Sequence, residues 1–516
     1  MASAYQIRML LFSIGGETKM NILDRTIAWL SPEKAYRRMN YRQAVDEMRS
    51  YDAAANDHLN AGWRAVNAKA EVTDGMYRDT IRARSRDLER NSDILESVIL
   101  AFERNVVGGG FKLQAKTENE ELNTQIESLF KLWCRPKNCD VTQQQSFSEI
   151  CQMLIRRQKV DGGIIVVMRY IDDGIVPLAL QMYEVDDLDT MIPLTTTAKI
   201  VNGIEYNAFN RPVAYYLKKY DAYGNYIGTS ERVDAQHVLF LFHKKRPSQL
   251  REMSELSSTL PRVRDMNQFM EAVSVKERVA ALLAVLIKRV TPGGGTVGRS
   301  TTDKRTGYTG KTLSPGMIME LNPGDDVHVV QPPSQAANSA EFIRLQQRLS
   351  GSSQGISYEV AARDMSQVNY SSARQGLIED QKTYLMKQQY LIDHFFIPVY
   401  ESFLEASILA GKLSILDFHT KKEMYLQHEW IAPGMKWIDP LKEANANKIA
   451  LETNQTTLAE IIGNTGNDWR DVIDQRAREL EYMQEKGVIR DEKSVNEDEV
   501  NKLIQDSEEE KSDDES

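Results

Sequence analysis

The sequence has few cysteines and no long apolar run, and both shortages narrow the possible classes of protein. Three cysteines among 516 residues cannot form a disulfide framework. Cys134, Cys139 and Cys151 also lack the tight paired spacing of zinc sites, so they are interpreted as reduced structural thiols. The longest apolar run, Val279 to Ile287, has nine residues, whereas a membrane-spanning helix needs about 20. The apolar stretch 9–14 is too short for a signal peptide, so a cytoplasmic location is expected.

An excess of positive charge is missing as well. The net charge is −10, and residues 491–516, with twelve acids against three lysines, account for −9 of it. The remaining 490 residues are therefore almost neutral. Proteins that bind nucleic acid tightly usually carry a basic surface that neutralises phosphates. Tight DNA binding is not indicated.

Phosphate-binding and hydrolase motifs are incomplete. The triplet 310–312, Gly-Lys-Thr, resembles the end of a phosphate-binding loop, but Arg305 stands where that loop needs glycine and no apolar strand precedes it. Lys304, Arg305 and Lys311 are interpreted instead as a flexible basic surface. No Gly-x-Ser-x-Gly motif occurs, so serine hydrolysis is not predicted.

Clustered acids and histidines give weak signals for a metal site. Asp186, Asp187 and Asp189 follow a predicted strand, a position where nucleases hold magnesium. A solvated turn with helix-capping acids is the favoured interpretation, because no second acidic cluster accompanies them. His237 and His243 flank a strand without a third ligand nearby.

Hydrophobic periodicity predicts helices and mostly antiparallel strands in the first half of the chain. One or two helices are expected over Tyr77–Asn105, followed by Glu120–Trp133 and Phe147–Val160. The predicted strands are Ile164–Tyr170, Leu178–Glu184, Ala214–Tyr220 and His237–Phe242, with a hairpin turn at Asn202-Gly203.

The second half is predicted to be mainly helical around a small loop-rich module. A single helix over Leu260–Arg289 would be about 45 Å long, and its apolar stripe suits either a core or a subunit interface. The module at 291–334 contains predicted strands Met317–Leu321 and Asp326–Val330. Further helices are expected at Ala340–Leu349, at Ala373–Gly411 with a kink near Pro398, and at Pro440–Thr453, Thr457–Ile462 and Asp468–Lys486, with glycine C-caps at Gly463 and Gly487.

The segment 364–374, Asp-Met-Ser-Gln-Val-Asn-Tyr-Ser-Ser-Ala-Arg, preceded by Gly-Ile-Ser-Tyr-Glu at 355–359, closely resembles the signature of lambda-type phage portal proteins. Segments 86–91, 243–251, 321–325 and 437–444 resemble the same family in the same order. The resemblance covers about residues 20 to 490. The residues before Met20 are an arm that the family pattern usually lacks.

The resemblance implies an α+β, multi-domain phage portal fold with an α/β wing, a helical stem, a small α/β clip and a helical crown. Its segments would be an N-terminal arm with short helices (1–75), the wing with an antiparallel sheet (76–258), the first stem helix (259–290), the clip (291–334), the second stem helix (335–362), the channel loop (363–373), the long wing helix and return segment (374–438), the crown (439–490) and an acidic, disordered tail (491–516).

The resemblance also implies a function without catalysis or cofactor. Such chains form a homo-oligomeric ring, a dodecamer, at one capsid vertex, where DNA is packaged, retained and ejected and the tail is joined to the head. Double-stranded DNA slides through without sequence specificity. The clip, with Lys304, Arg305 and Lys311, would contact the terminase large subunit and later the head-completion or adaptor proteins. Major capsid and scaffold proteins are further partners, no membrane takes part, and the chain is expected in the virion and, during assembly, in the host cytoplasm.

The channel loop is the part expected to touch DNA. Its expected contact residues are Asp364, Ser366, Gln367, Asn369, Tyr370, Ser371, Ser372 and Arg374. Small, neutral polar side chains can touch a duplex without holding it, since each neutralised phosphate would strengthen binding. From composition alone, the segment would be an ordinary interhelical connection whose Asn and Ser residues satisfy turns and caps. A magnesium nuclease and a minor capsid or scaffold protein without a channel remain the alternatives.

Overall fold

The structure is a computed structural model that describes residues 65–192, 199–282, 336–366, 370–434 and 440–486. It also describes four short strands between 285 and 321 and a few isolated residues before 65; over 279–338 and 370–373 only the backbone is described. The chain divides into two units, 1–68 and 69–516, and all the elements named below belong to the second. Most of the predicted N-terminal arm (1–75), the predicted strand Asp326–Val330 and the acidic tail lie outside the described residues.

The first half of the second unit consists of helices packed against small antiparallel sheets. Its elements are α1 (Ala70–Asp74), α2 (Arg78–Asn91), α3 (Asp93–Phe102), β1 (Lys112–Ala115), α4 (Glu120–Trp133), α5 (Pro136–Cys139), α6 (Phe147–Val160), β2 (Gly163–Arg169), β3 (Ala179–Tyr183), β4 (Lys199–Val201), β5 (Ile204–Tyr206), β6 (Pro212–Tyr220), β7 (Tyr226–Asp234) and β8 (Val238–Phe242).

The helix predictions in this half are confirmed, and the caps explain their ends. The region 77–105 forms two helices because Ser92 is extended and its hydroxyl accepts a hydrogen bond from the Leu95 amide at 3.4 Å. Helix α4 begins after Asn119, whose side chain accepts from two amides of the first turn. Helix α6 begins with a capping box in which Ser146 and Glu149 satisfy each other's backbone N–H.

The predicted strands are also present, in two sheets. Strands β3, β2 and β8 form one antiparallel sheet, and β4 to β7 form another in sequential order. At the predicted hairpin turn, Asn202 and Gly203 take φ values of 51° and 82°, as a two-residue turn requires. The sequence did not predict β7, because this edge strand is mostly exposed and shows no alternation of apolar and polar residues.

A core rich in aromatic residues joins helices α4 and α6 to the sheet of β2, β3 and β8 and to a helix much later in the chain. Phe130, Trp133 and Phe147 are buried there, with ring centroids 5.5–5.6 Å apart. The Trp133 indole N–H donates to the Leu178 carbonyl oxygen at 2.7 Å, so its burial leaves no unpaired donor. Phe403, from a helix some 250 residues later, packs 5.1 Å from Phe130. The chain therefore returns to the wing after the stem and clip regions.

The second half contains α7 (Leu260–Leu282), β9 (Val285–Lys288), β10 (Ser300–Thr302), β11 (Thr309–Lys311), β12 (Ile318–Leu321), α8 (Ala336–Ser353), α9 (Tyr358–Ala362), α10 (Tyr370–Leu391), α11 (Ile397–Leu409), α12 (Lys422–Tyr425), β13 (His428–Ile431), α13 (Pro440–Glu452), α14 (Leu458–Asn464) and α15 (Trp469–Glu485). Strand β13 pairs antiparallel with β1, and β10 pairs antiparallel with β11.

The predicted helix over Leu260–Arg289 is wrong in its last part. Helix α7 ends at Leu282, which gives a length of about 34 Å, and β9 follows it. Strand β9 pairs in parallel with β12, so the predicted strand near 317–321 is confirmed but has an unexpected partner. A short apolar run such as 283–287 fits a helix or a buried strand equally well. Pairing with β12, about 30 residues further along the chain, decides in favour of a strand.

The predicted second stem helix, 335–362, is also interrupted. Helix α8 ends at Ser353, Gly355 takes a φ of 73°, and α9 begins at Tyr358. The next helix begins at Tyr370, three residues before the predicted start, and the predicted break near Pro398 is confirmed. A widened π-helical turn over Ile392–Phe396 precedes that proline, which has no N–H to donate to the preceding turn.

The three predicted helices near the end of the chain are confirmed to within two residues. None of the described residues within α13, α14 or α15 is buried in this chain. The Thr457 hydroxyl accepts from the Glu460 amide at 3.2 Å, but the Glu460 carboxylate accepts from the Thr456 hydroxyl, so only half of a capping box forms at the start of α14. Gly463 lies inside α14, and Gly466 is the residue with positive φ; the prediction of a C-cap at Gly463 was therefore wrong. Gly487 lies outside the described residues.

Candidate functional site

The start of the predicted channel loop is fixed to the preceding helix by Asp364. The Tyr358 hydroxyl donates to one carboxylate oxygen at 2.9 Å, and the Ser366 amide donates to the other at 3.0 Å. Hydrogen bonds from Ser366, and then from Tyr358, hold the pKa of Asp364 at about 2. Arg363 is in the left-handed conformation with φ of 54°. Asp364 therefore acts as an anchor of the turn, and the DNA contact predicted for it stays a prediction.

The end of the predicted loop differs from the prediction. Tyr370, Ser371 and Ser372 lie in the first turn of α10, so the loop between α9 and α10 is shorter than 363–373. The pattern misled because Tyr-Ser-Ser resembles a turn, whereas serine is also frequent in the first turn of a helix. Gln367 and Asn369 lie outside the described residues. Arg374 is exposed on α10 and lines a cavity of about 810 Å³ with residues of β13, α13 and α14.

Helices α9 and α10, which border the loop, are joined by polar contacts. The backbone N–H and the hydroxyl of Ser357 donate to the two carboxylate oxygens of Asp380 at 2.7 and 2.6 Å. The Thr383 hydroxyl donates to the Gly355 carbonyl oxygen at 2.7 Å. Both ends of the loop therefore start from a cross-linked pair of helices.

One largely buried ionic cluster consists of Lys159, Glu255 and Lys387; we call it the Glu255 cluster. The Glu255 carboxylate pairs with Lys159 at 2.9 Å and with Lys387. The Lys159 ammonium also lies 3.5 Å from the centroid of the Phe102 ring. The three charges come from α6, from the segment before α7 and from α10, so the cluster joins the wing to both the stem and the helix that follows the loop.

Burial and neighbouring charge shift the pKa values of this cluster in opposite senses. Burial lowers the pKa of Lys159 to about 8, although Glu255 opposes the shift. Burial alone would raise the pKa of Glu255, but the two lysines outweigh it and hold the value at about 2. The carboxylate is thus strongly stabilised, and it is the member of the cluster on which the other two depend.

Hydrogen bonds extend the Glu255 cluster to the end of α8. The Gln354 side-chain amide donates to the Glu255 carbonyl oxygen at 3.2 Å and to the Thr259 hydroxyl at 3.0 Å. The Thr259 and Ser353 hydroxyls lie 2.6 Å apart. The start of α7 and the end of α8 are therefore fixed to each other and to the wing. Sequence reasoning missed this cluster; its one signal is Lys159, which continues the buried face of Cys151 and Ile155 on α6.

The acidic triplet is held by protein groups. Asp186 pairs with Arg82 and Arg86, each at 2.7 Å. Asp187 accepts from the Tyr220 hydroxyl at 2.9 Å. Asp189 accepts from Tyr226 and Ser230, and its pKa is lowered because these hydrogen bonds outweigh burial. The geometry favours the structural interpretation of the triplet over a magnesium site.

The remaining predicted site residues show no assembled centre among the described parts of the chain. Lys311 lies on strand β11, where a phosphate-binding loop would require the start of a helix, while Lys304 and Arg305 lie outside the described residues. His237 ends a short 3-10 turn and His243 follows β8.

Within the described residues, no group of three or more His, Cys, Asp or Glu side chains could hold a metal ion. No described helix is long and apolar enough to cross a bilayer. The three cysteines are free thiols, and burial raises the pKa of each, to about 12 for Cys139.

The sequence of residues 56–388 matches the family "Phage portal protein, lambda family". The chain belongs to this family. The matched range includes the Glu255 cluster and the whole segment between α9 and α10. A portal protein is a structural part of the phage particle and acts at the connection between head and tail, and this is the function of the chain.

Curated portal relatives match most of the chain. It is 25% identical over 459 residues to a probable portal protein of Halomonas phage phiHAP-1, covering 85% of this chain and 88% of the relative. It is 20% identical over 443 residues to portal protein B of Escherichia phage lambda, covering 77% and 82%.

Solved structures similar to this portal come from gene transfer agent particles. One, from the virion of a native particle, has 14% identity and a TM-score of 0.36, covering 78% of this chain and 95% of that chain. Another, from the neck of a native particle computed with C12 symmetry, has 12% identity and a TM-score of 0.35, covering 73% and 91%. Scores of this size do not establish a common arrangement of domains.

Proposed function

We propose that copies of this portal chain close side by side into a ring of twelve, whose channel carries double-stranded DNA into and out of the capsid without reading its sequence. The family match over 56–388 carries this proposal, because it includes the segment that enters the channel in the predicted architecture. The chain performs no chemistry and needs no cofactor. Force for packaging comes from a separate terminase, whose large subunit binds the clip.

The neighbouring partners follow from the same architecture. Head-completion or adaptor proteins replace the terminase at the clip after packaging, with Lys304, Arg305 and Lys311 as the contact residues. Major capsid and scaffold proteins surround the ring while it assembles in the host cytoplasm, and the ring then stays in the virion.

The DNA-facing surface is the segment that joins α9 to α10 together with the first turn of α10. The anchoring of Asp364 and Ser357 supports this proposal, since a short connection fixed at both ends can touch a moving duplex and keep its shape. Ser371 and Ser372 belong to this surface as first-turn residues of α10, in place of the loop position predicted from sequence.

Electron microscopy of the purified full chain tests the ring. Closed rings with a central hole about as wide as a duplex are expected; monomers or shells would overturn the proposal. Purified chain is also expected to leave DNA intact with magnesium present, and metal-dependent cleavage lost in Asp187→Ala would establish the nuclease instead.

Adding positive charge to the channel surface tests the DNA contact. The double variant Ser371→Arg/Ser372→Arg is expected to assemble into rings but to package less DNA or to retard its release, because each arginine attracts phosphate. Thr229→Arg/Ser414→Arg, which adds the same charge at exposed positions elsewhere, is the matched control. Unchanged packaging in the first variant would show that α10 does not begin at the channel surface.

A further inference from the structure

An arginine cluster borders the segment between α9 and α10 without matching acidic partners. Arg344 and Arg348 are one turn apart on α8 and therefore share a face. The Arg348 guanidinium lies 5.3 Å from the centroid of the Tyr358 ring, and Tyr358 in turn donates to Asp364. Arg344 lies close enough to Asp364 to contribute to its low pKa, after the hydrogen bonds from Ser366 and Tyr358. Both arginines thus face the start of the segment.

The arginines of this region are not paired with its acids. Arg363 adds a third cation next to Asp364 in the chain. Among the described residues, none of the three arginines has an ion pair within 4.0 Å, and both oxygens of Asp364 already accept hydrogen bonds. Two further acids lie in this region. Glu359 lies near Asp380, whose pKa is raised by burial and then by Glu359. Glu341 is exposed on α8, three residues before Arg344.

The three side chains are available to a ligand. Arg348 and Arg363 are exposed, and Arg344 is half-buried. Stacking on Tyr358 restricts the Arg348 side chain, so less conformational entropy is lost when the guanidinium binds. Planar guanidinium groups present paired N–H donors that match phosphate oxygens.

We propose that Arg344, Arg348 and Arg363 form a phosphate-binding rim that holds the DNA backbone when the duplex is at rest in the channel. The inference rests on the proposed function, because it needs this face to border the channel. The neutral first turn of α10 provides the sliding contact, and the rim provides a salt-dependent hold that each subunit adds to the ring. Exposed ion pairs of this kind are individually weak and screened by salt, so a driven duplex still moves past them.

The test compares Arg344→Gln/Arg348→Gln/Arg363→Gln with the parent portal, using assembled full-length rings and a 30-base-pair duplex of random sequence. For the parent, binding weakens steeply with salt. For the variant, the slope of log K against log salt is expected to fall by at least about 1, the contribution of one phosphate contact. Filled particles carrying the variant are expected to lose DNA faster at high temperature, with packaging preserved.

Two further variants make the outcome specific. The matched control Lys131→Gln/Arg135→Gln/Lys137→Gln removes three exposed charges from the wing region and is expected to leave the slope unchanged. The charge-conserving variant with lysine at 344, 348 and 363 is expected to keep most of the slope. An unchanged slope in the glutamine variant, or an equal loss in the control, would overturn the rim.

The other occupant that charge would allow is the acidic segment 491–516 of the chain itself. If the glutamine variant of the full chain binds DNA as well as the parent, but abolishes a several-fold gain that truncation after residue 490 gives, the acidic segment occupies the arginines in the full chain and the DNA assignment is overturned. The proposed ring is checked separately by electron microscopy of the same preparations. Rings with an unaltered salt slope would refute the rim alone, whereas an absence of rings would refute the proposed function.

Discussion

The contacts of the Glu255 cluster predict that substitutions of its three residues lower the stability of the protein by unequal amounts. In Glu255→Gln, the ammonium groups of Lys159 and Lys387 lose their shared carboxylate, while Lys159 remains buried and Lys387 partly buried. Lys245 adds to the positive charge there, since it interacts electrostatically with Lys159. Leaving buried charge unpaired costs about 3–5 kcal/mol, and two stranded lysines place this variant at the upper end.

Lys159→Met is expected to be far milder. It removes an ammonium group whose pKa burial already lowers to about 8, keeps the Glu255–Lys387 pair and leaves an apolar side chain against Phe102. The expected loss is about 1 kcal/mol. Because methionine at 159 also relieves the repulsion that Glu255→Gln creates, the double variant should be more stable than Glu255→Gln by about 2 kcal/mol.

Calorimetry of the full chain at neutral pH measures the order of unfolding temperatures. Amide hydrogen exchange at the start of α7 and the end of α8 shows whether the loss of stability is confined to the surroundings of the Glu255 cluster. Equal effects of the two single variants, or a double variant as damaged as the sum of both, would refute the central role of the carboxylate.

Acidification gives an independent check. Because the pKa of Glu255 is about 2 when folded and 4.5 ordinarily, its stabilisation is complete above pH 4.5 and lost as pH falls to about 2. The shift corresponds to about 3 kcal/mol. The stability gap between the parent and Glu255→Gln should therefore narrow over this range, and a constant gap would contradict the ionic explanation.

Two further substitutions, each with a matched control variant, test local structure. Ser146→Ala removes the capping box of α6 and should cost about 1 kcal/mol in the free energy of unfolding, whereas Ser146→Thr keeps the hydroxyl and should be nearly neutral; equal unfolding temperatures would refute the cap. Gly203→Ala adds a Cβ 2.9 Å from the Asp189 carbonyl oxygen in a residue with φ of 82°. It should therefore lower the free energy of unfolding by more than Gly224→Ala, where φ is 81° and the space is open. An equal loss in both variants would show that backbone strain alone, without the close contact, accounts for the effect.

Elements governed by local signals could be predicted from the sequence. Helices α4 and α6 have the predicted bounds because caps and apolar periodicity agree, and the hairpin at Asn202-Gly203 depends on two residues that tolerate positive φ. Elements that form only by pairing with a distant segment could not be predicted from the sequence. Strand β9 exists through its pairing with β12, and nothing local in its sequence separates it from the end of α7.

The candidate site divides in the same way. The segment after α9 was recognisable from its residues, but the three groups of the Glu255 cluster lie 96 and 132 positions apart in sequence, and no periodic pattern connects them. A lysine on an apolar helix face, as at Lys159, indicates a buried counter-charge without saying which acid supplies it. Long-range polar contacts therefore had to be found in the structure.

These contacts make a continuous mechanical path from the channel segment to the stem region. Asp364 is tied to α9 through Tyr358, α9 is tied to α10 through Ser357 and Asp380, and α10 is tied through Lys387 to the carboxylate that precedes α7. Every link is a hydrogen bond or ion pair in which one of the two side chains lies on a helix. In the proposed ring, a displacement of the segment by DNA would therefore move α10 as a body and strain the Glu255 cluster directly. Glu255→Gln should consequently uncouple the channel segment from the stem before it unfolds either of them.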